Sequence, residues 1–253
     1  MSELEYVGGE LDLFAKASNW KSYFASLLRP HIRGRVLEVG AGLGATTEAL
    51  WNDEVESWLC LEPDPQLAAQ LTERIPADRW PNARVECRVA TVEELGPDER
   101  FDAILYIDVL EHIQDDRGEL ASVSRHLASG GELIVLSPAF PSLYSRFDTA
   151  LGHVRRYTAK SLAAAFPAGL RRERVFYADS VGALASLANR LLLRQSMPGA
   201  AQIQTWDKGI IPVSRVLDRL IGRRLGRSVI AIYSAPEFNG VGLFAERRSG
   251  GGD

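Results

Sequence analysis

The stretch VLEVGAGLGATT, from Val36 to Thr47, decides how the chain is read. Val36, Leu37 and Val39 suit a strand buried on both faces. Gly40, Gly42 and Gly44 follow, and a helix begins at Ala45 to Thr47. Glycines let the backbone turn tightly and keep Cβ atoms out of the space above it. The free N–H groups of the helix start then point at whatever sits over the loop. A strand, a glycine loop and a helix in this order predict a site for a nucleotide-like ligand.

Outward from that stretch, apolar runs alternate with helical patterns. Strands are expected at Arg35 to Val39, Trp58 to Glu62, Arg84 to Val89, Phe101 to Ile107 and Glu132 to Leu136, with later ones at Arg172 to Tyr177, Ser228 to Tyr233 and Gly240 to Glu246. Before them, Trp20, Tyr23, Phe24, Leu27 and Leu28 form one helical face, with Asn19 as its N-cap. Asp64 and Pro65 open another helix as N-cap and first turn. A third runs from about Asp115 to Ala128, with Gly130 and Gly131 turning it into the next strand, and a short one from about Thr158 to Phe166. This alternation implies right-handed βαβ units and a parallel sheet. Residues 179–226 read as mostly helical.

With 253 residues, 46% of them hydrophobic, the chain can bury a large core. A net charge of -4 and a pI near 5.7 provide no field that recruits nucleic acid. Cys60 and Cys87 read as reduced core residues, and neither has metal-ligand spacing, so no metal is expected. The opening MSELEYVGGELDLF lacks the basic, apolar pattern of a leader, and the apolar run Val181 to Leu193 falls short of the ~20 residues that span a bilayer. A soluble, cytoplasmic protein is expected.

The glycine loop alone does not choose a ligand. Gly40-x-Gly42-x-x-Ala45 also fits the loose dinucleotide pattern, with Glu62 placed 22 residues after Gly40 as a ribose acceptor. The wider order of motifs is more specific: EVGAGLG, LCLEPDP, Ala90-Thr91-Val92, YIDVLEHI and LASGGELIVLSP. Over residues 35–140 it resembles the class I S-adenosylmethionine-dependent methyltransferases, most closely the small-molecule group that includes ubiquinone-biosynthesis enzymes.

The resemblance implies a Rossmann-like α/β sandwich with seven strands, mostly parallel, an antiparallel last strand and a helical insertion near the C-terminus. It implies one domain: a lid and helix over 1–34, a cofactor core over 35–140, a substrate-side region over 141–226 and a final strand and tail over 227–253. The cofactor is S-adenosyl-L-methionine and the product S-adenosyl-L-homocysteine. Gly40, Ala41, Gly42 and Gly44 line the methionine end, and Glu38 holds that loop. Glu62, followed by Pro63, accepts from the ribose hydroxyls. Thr91 and Val92 flank adenine, although Thr91 stands where the family often has Asp. Ile107 and Asp108 lie by the amino-acid end, with His112 at the rim.

Methyl transfer requires alignment of two reactants and exclusion of water; an O or N nucleophile also benefits from a base near working pH. Of four histidines, His31 and His126 read as solvated surface residues. His112 and His153 fall where ligands of an α/β sheet sit, and are the catalytic candidates. Arg155, Arg156 and Tyr157 are expected to contact a small-molecule acceptor, as are Trp20 and Tyr23. The competing structural reading of GHVRRYT is a loop whose arginines bind scaffold groups. Competing functions are a nicotinamide-dinucleotide oxidoreductase and a protein that binds the cofactor without catalysis.

Val213, Val216, Leu217, Leu220, Ile221 and Leu225 form an apolar stripe alongside Arg215, Arg219, Arg223 and Arg224. Packing of this stripe on the protein's own core is expected. Peripheral contact of residues 212–226 with an anionic membrane is the alternative.

Overall fold

A computed structural model describes residues 17–76, 80, 84–188 and 199–237. Among the described residues seven strands form one sheet: β1 (Gly34–Val39), β2 (Val55–Leu61), β3 (Arg84–Arg88), β4 (Phe101–Ile107), β5 (Leu127–Pro138), β6 (Arg171–Ala178) and β7 (Ser228–Ser234). Their spatial order is β3-β2-β1-β4-β5-β7-β6. β1 to β5 pair in parallel, and β7 runs antiparallel to both β5 and β6. The fold is the Rossmann-like sandwich that the motif order implied.

Side chains alternate between two buried faces, which is why the central strands are apolar at nearly every position. One face carries Val36, Trp58, Leu105, Ile134 and Ile232, covered by Trp20, Tyr23, Phe24 and Leu28 of α1 (Ser18–Leu28). The other carries Leu37, Leu59, Tyr106, Val135 and Ala231, covered by Leu120 and Val123 of α4 (Asp116–Val123) and Leu162 of α6 (Ala159–Ala163). Between these helices in the chain lie α2 (Ala45–Leu50), α3 (Pro65–Arg74) and α5 (Arg146–Ala150). Asp64 caps α3 as expected, accepting from the N–H groups of Gln66 and Leu67 at 2.7 and 3.2 Å.

Several local expectations are corrected. Asn19 is not the N-cap of α1. A carboxylate distant in sequence does that work: Asp207 accepts from the backbone N–H groups of Asn19 and Trp20 at 3.2 and 2.9 Å. The helix expected to reach Ala128 ends at Val123, and β5 already includes Gly130 and Gly131. The expected strand at 240–246, the lid over residues 1–16 and the end of the 181–193 helix lie outside the described residues; α7 is described over Ser180–Ala188.

After α8 (Ala200–Thr205) comes α9 (Ile211–Leu220), which is inverted relative to expectation. Its buried residues are Ile211, Ser214 and Asp218, while Val213, Val216 and Leu220 are 55%, 60% and 78% exposed. Half of the apolar stripe thus faces outward, while Leu217, Ile221 and Leu225 are half-buried. The inward face is polar because its neighbours need acceptors. Asp218 takes the Tyr23 hydroxyl at 2.6 Å and the N–H groups of Asp179 and Ser180 at the start of α7. Ser214 Oγ donates to Asp179 at 2.6 Å.

Candidate active site

In this sheet the strand order reverses between β1 and β4, so the crevice at their C-terminal ends is where an open α/β fold binds ligands. The glycine loop leaves β1 there, and Asp108 leaves β4. Backbone bonds fix the loop. The N–H groups of Gly40 and Ala41 both donate to the Leu61 carbonyl, at 2.8 and 3.1 Å. Gly40 has φ +67°, and a Cβ there falls 2.7 Å from Val109 Cγ2. Gly42 has φ +54°, but a Cβ there meets no atom within 4 Å. The first glycine serves packing; the second opens onto free space.

Glu62 joins the loop to the end of β2. Its Oε2 accepts from Gly42 N–H at 2.8 Å and its Oε1 from Asp64 N–H at 3.0 Å. Each oxygen has a second lone pair for another donor. Burial pushes this carboxyl up, while those two backbone bonds pull it down. Glu38 lies beneath the loop and is 2% exposed. Its Oε2 accepts from Thr47 Oγ1 at 2.6 Å and Trp58 Nε1 at 2.9 Å, tying α2 and β2 together. Burial raises the Glu38 carboxyl to about 7.

The remaining cofactor candidates are spread around this cradle. Pro63 is exposed beside Glu62. Thr91 caps a short turn, its N–H and hydroxyl engaged by Glu94 at 2.7 and 3.3 Å. The Val92 side chain is core, at 3% exposure. Ile107 is half-buried. Asp108 has φ +55°, and its N–H donates to Leu136. It is exposed by surface area, yet the protein packed around its carboxyl pushes it up to about 6, opposed by His153, Arg227 and Arg156.

Opposite the glycine loop, His112 and His153 meet edge to face, with ring centroids 4.8 Å apart. Burial, with His153 beside it, lowers His112 to about 4. His153 Nδ1 lies 3.0 Å from Asp148 Oδ1. Asp148 is fully buried and clamped by Arg156, Nε to Oδ1 at 2.6 Å and Nη2 to Oδ2 at 3.0 Å. Burial alone raises a carboxyl, but the His153 and Arg156 bonds outweigh it and hold Asp148 well below the usual range.

The expected acceptor contacts divide. Arg156 is spent on Asp148 and the Ala139 carbonyl. The Tyr157 hydroxyl donates to Asp116 at 2.8 Å, and Arg155 pairs with the same carboxylate and the Gln114 carbonyl. Arg156 thus serves the scaffold, as the structural reading of this loop expects, while Arg155 keeps part of its surface open. Trp20 and Tyr23 are core residues at 8% and 1% exposure, with Tyr23 bonded to Asp218. The other two histidines are not free surface groups. His126 Nδ1 is 3.0 Å from the Glu99 carbonyl, and His31 Nδ1 is 3.0 Å from Glu132 Oε2.

Two site residues went unnoticed in the sequence. Asp148 orients His153. Glu111, beside His112, is fully buried, and its backbone carbonyl accepts from Val154 N–H. The adjacent pair Glu111-His112 was the available signal.

With this geometry in view, a family model described as a methyltransferase domain matches residues 37–135. That span runs from the first strand through the glycine loop, Glu62 and the Glu111 turn to β5. Over residues 37–135 the chain is similar to methyltransferase domains. A ubiquinone biosynthesis O-methyltransferase of Paramagnetospirillum magneticum (strain AMB-1) is 32% identical over 106 residues, which is 42% of this chain and 41% of that protein. The chain thus matches about two fifths of the length of such curated relatives. Among solved structures, the N-methyltransferase NodS of Bradyrhizobium japonicum WM9, in complex with S-adenosyl-L-homocysteine, superposes with TM-score 0.54 at 16% identity, covering 87% of this chain and 86% of that one. The cyclase SpnF superposes with TM-score 0.59 at 19% identity, covering 85% and 81%. At these identities the methyltransferase fold is what is shared.

Proposed function

We propose that this protein transfers a methyl group from S-adenosyl-L-methionine to an O, N or C nucleophile of a small-molecule acceptor. The observation that carries the reading is the paired use of Gly42 and Glu62. One backbone N–H is anchored by the carboxylate, the space above the glycine is open, and both carboxylate oxygens retain lone pairs for a ribose. When bound, the cofactor supplies an electrophilic methyl on a positively charged sulfur.

The chain's own residues then do three things. Gly40, Ala41, Gly42 and Gly44 bring main chain against the amino-acid end, with Ile107 and Asp108 across the crevice. Thr91 and Pro63 border the adenine and ribose side, where the Val92 backbone, not its buried side chain, is available. His112 and His153 face the reacting end, and Asp148 fixes the orientation of His153. Alignment with exclusion of water contributes several kcal/mol, on the order of 7–11 in well-oriented cases. Arg155, partly accessible at the outer edge of the loop, remains the residue of the GHVRRYT segment best placed to touch an acceptor.

We assign the protein to a reducing compartment such as the cytoplasm, because both Cys60 and Cys87 are unpaired thiols. Among the described residues, no helix is long and apolar enough to cross a membrane. The outward face of α9 supports peripheral contact with an anionic surface. Val213, Val216 and Leu220 are exposed, as are Leu184 and Leu187 (53% and 42%) on α7, which packs against α9, and Arg219 is exposed on α9.

Incubation with methyl-labelled S-adenosyl-L-methionine and pools of phenols, amines and quinol precursors tests the activity. Label appearing in an acceptor and dependent on Glu62 supports the proposal. Cofactor binding with no transfer to any pool, or reduction of a nicotinamide cofactor, contradicts it.

A further inference from the structure

Glu111 sits in the turn Leu110–His112 that follows β4, with no exposed surface. Its Oε2 accepts from Ser137 Oγ at 3.0 Å, and its Oε1 is buried without a partner. A carboxylate oxygen withdrawn from water and left unpaired is costly, and native interiors rarely keep one without a ligand or ion. Two imidazoles stand beside the Glu111 carboxylate. One ligand atom from each of Glu111, His112 and His153 lies within 4.8 Å of the other two.

The surroundings are arranged as for metal ligands. His153 has its Nδ1 held by Asp148, which leaves Nε2 to face the cluster. His112 Nδ1 lies against the Gly152 backbone, 3.8 Å from where a Cβ would stand there. Metal-binding histidines are ordinarily oriented by a carboxylate or carbonyl on the second ring nitrogen. Arg156 and Ser145 fix the Asp148 carboxylate in turn. The turn at residue 111, the end of β5 at residue 137 and the segment 148–156 are thereby organised about one point beside Asp108.

We propose that Glu111, His112 and His153 bind one divalent transition-metal ion of the zinc, cobalt or manganese type. Two imidazoles and one carboxylate suit these ions and leave open positions on the crevice side. Ligand atoms about 2.1 Å from an ion lie roughly 3.5 Å apart in tetrahedral geometry, so loading draws the three side chains slightly together. The site revises the sequence-based expectation of no metal, which rested on the cysteines.

Resting on the methyl-transfer reading, the open position on the crevice side takes the acceptor's hydroxyl oxygen. The ion favours loss of the hydroxyl proton to solvent. The oxygen's electron pair then forms the O–CH3 bond as the donor's S–CH3 bond breaks, leaving a neutral thioether. His112 and His153 act through the ion rather than as free bases.

The test uses the full chain, stripped with chelator, without methyl donor or acceptor. Calorimetric titration with ZnCl2 and MnCl2 is expected to give one ion per chain. E111Q and H153Q are expected to weaken binding at least about 100-fold, D148N about 10- to 100-fold, and H31Q not at all. Absence of stoichiometric binding, or affinity unchanged in E111Q and H153Q, overturns the proposal. Should those variants fail to fold by circular dichroism, X-ray absorption of the zinc-loaded wild type decides. Two imidazole ligands support the site, and a shell without imidazole overturns it. Because no methyl donor is present, failure here leaves the methyl-transfer reading standing, and failure of that reading leaves the metal result standing.

Discussion

On the donor side of the crevice the contacts are made by main chain. Gly40 and Ala41 hang from one carbonyl of β2, Gly42 donates to Glu62, and the parts lie on two adjacent strands. On the opposite side the contacts are between side chains from three separate segments, with Asp148 and Arg156 behind His153. A backbone cradle tolerates few residue types and so writes itself into local sequence. A side-chain cluster is assembled by topology and has no local pattern. On the proposed function, the first side fixes what is bound and the second what it reacts with.

Substitutions that affect one side but not the other test this division. The largest effect is expected from H153A on the reacting side: turnover falls about 100-fold or more, in the range of a lost acid–base or orienting group, while affinity for S-adenosylhomocysteine changes less than about threefold. Parallel losses in both would erase the distinction between the sides. On the donor side, G40A is expected to destabilise the fold and abolish binding together. Its Cβ meets Val109, and the positive φ adds about 1–2 kcal/mol of strain. G42A, with open space around it, is expected to cost only that strain in thermal or urea unfolding, yet to weaken binding as strongly.

A smaller effect separates Glu38 from Glu62. The Glu38 carboxyl is raised from 4.5 to about 7 in the folded chain. The folded state therefore holds a proton that the unfolded state releases across that interval, and stability falls as pH rises from 4.5 through 7. E38Q is expected to remove this slope, so its stability relative to wild type improves between pH 5 and pH 8 by up to about 3 kcal/mol. Urea unfolding at the two pH values reads it; a constant difference would place the proton elsewhere. The smallest effect on folding belongs to α9. Changing exposed Val213, Val216 and Leu220 together to Ser is expected to alter stability by less than about 1 kcal/mol while removing any flotation with anionic vesicles.

The same contrast explains how much the sequence revealed. Strand periodicity and the glycine loop at Gly40 made the sheet legible, because burial on both faces and positive φ restrict residue choice locally. Asp64 as a cap was legible for the same reason. The cap of α1 was not, since Asp207 arrives from nearly two hundred residues away. The stripe on α9 misled because periodicity shows that a helix has two faces and not which one is turned inward. Arg156 and Tyr157 resembled acceptor contacts until Asp148 and Asp116 were found beside them. Glu111 was overlooked because a lone Glu next to a His is unremarkable until Ser137 and His153 are brought alongside.

The most direct test of the donor-side assignment is calorimetric titration of wild type and Glu62→Gln with S-adenosylhomocysteine and with NAD. The geometry predicts saturable binding of S-adenosylhomocysteine by wild type, at least about tenfold weaker binding by Glu62→Gln, and no binding of NAD, since the carboxylate loses one of its two acceptor oxygens. Binding of NAD in preference, or S-adenosylhomocysteine affinity indifferent to Glu62, would contradict it.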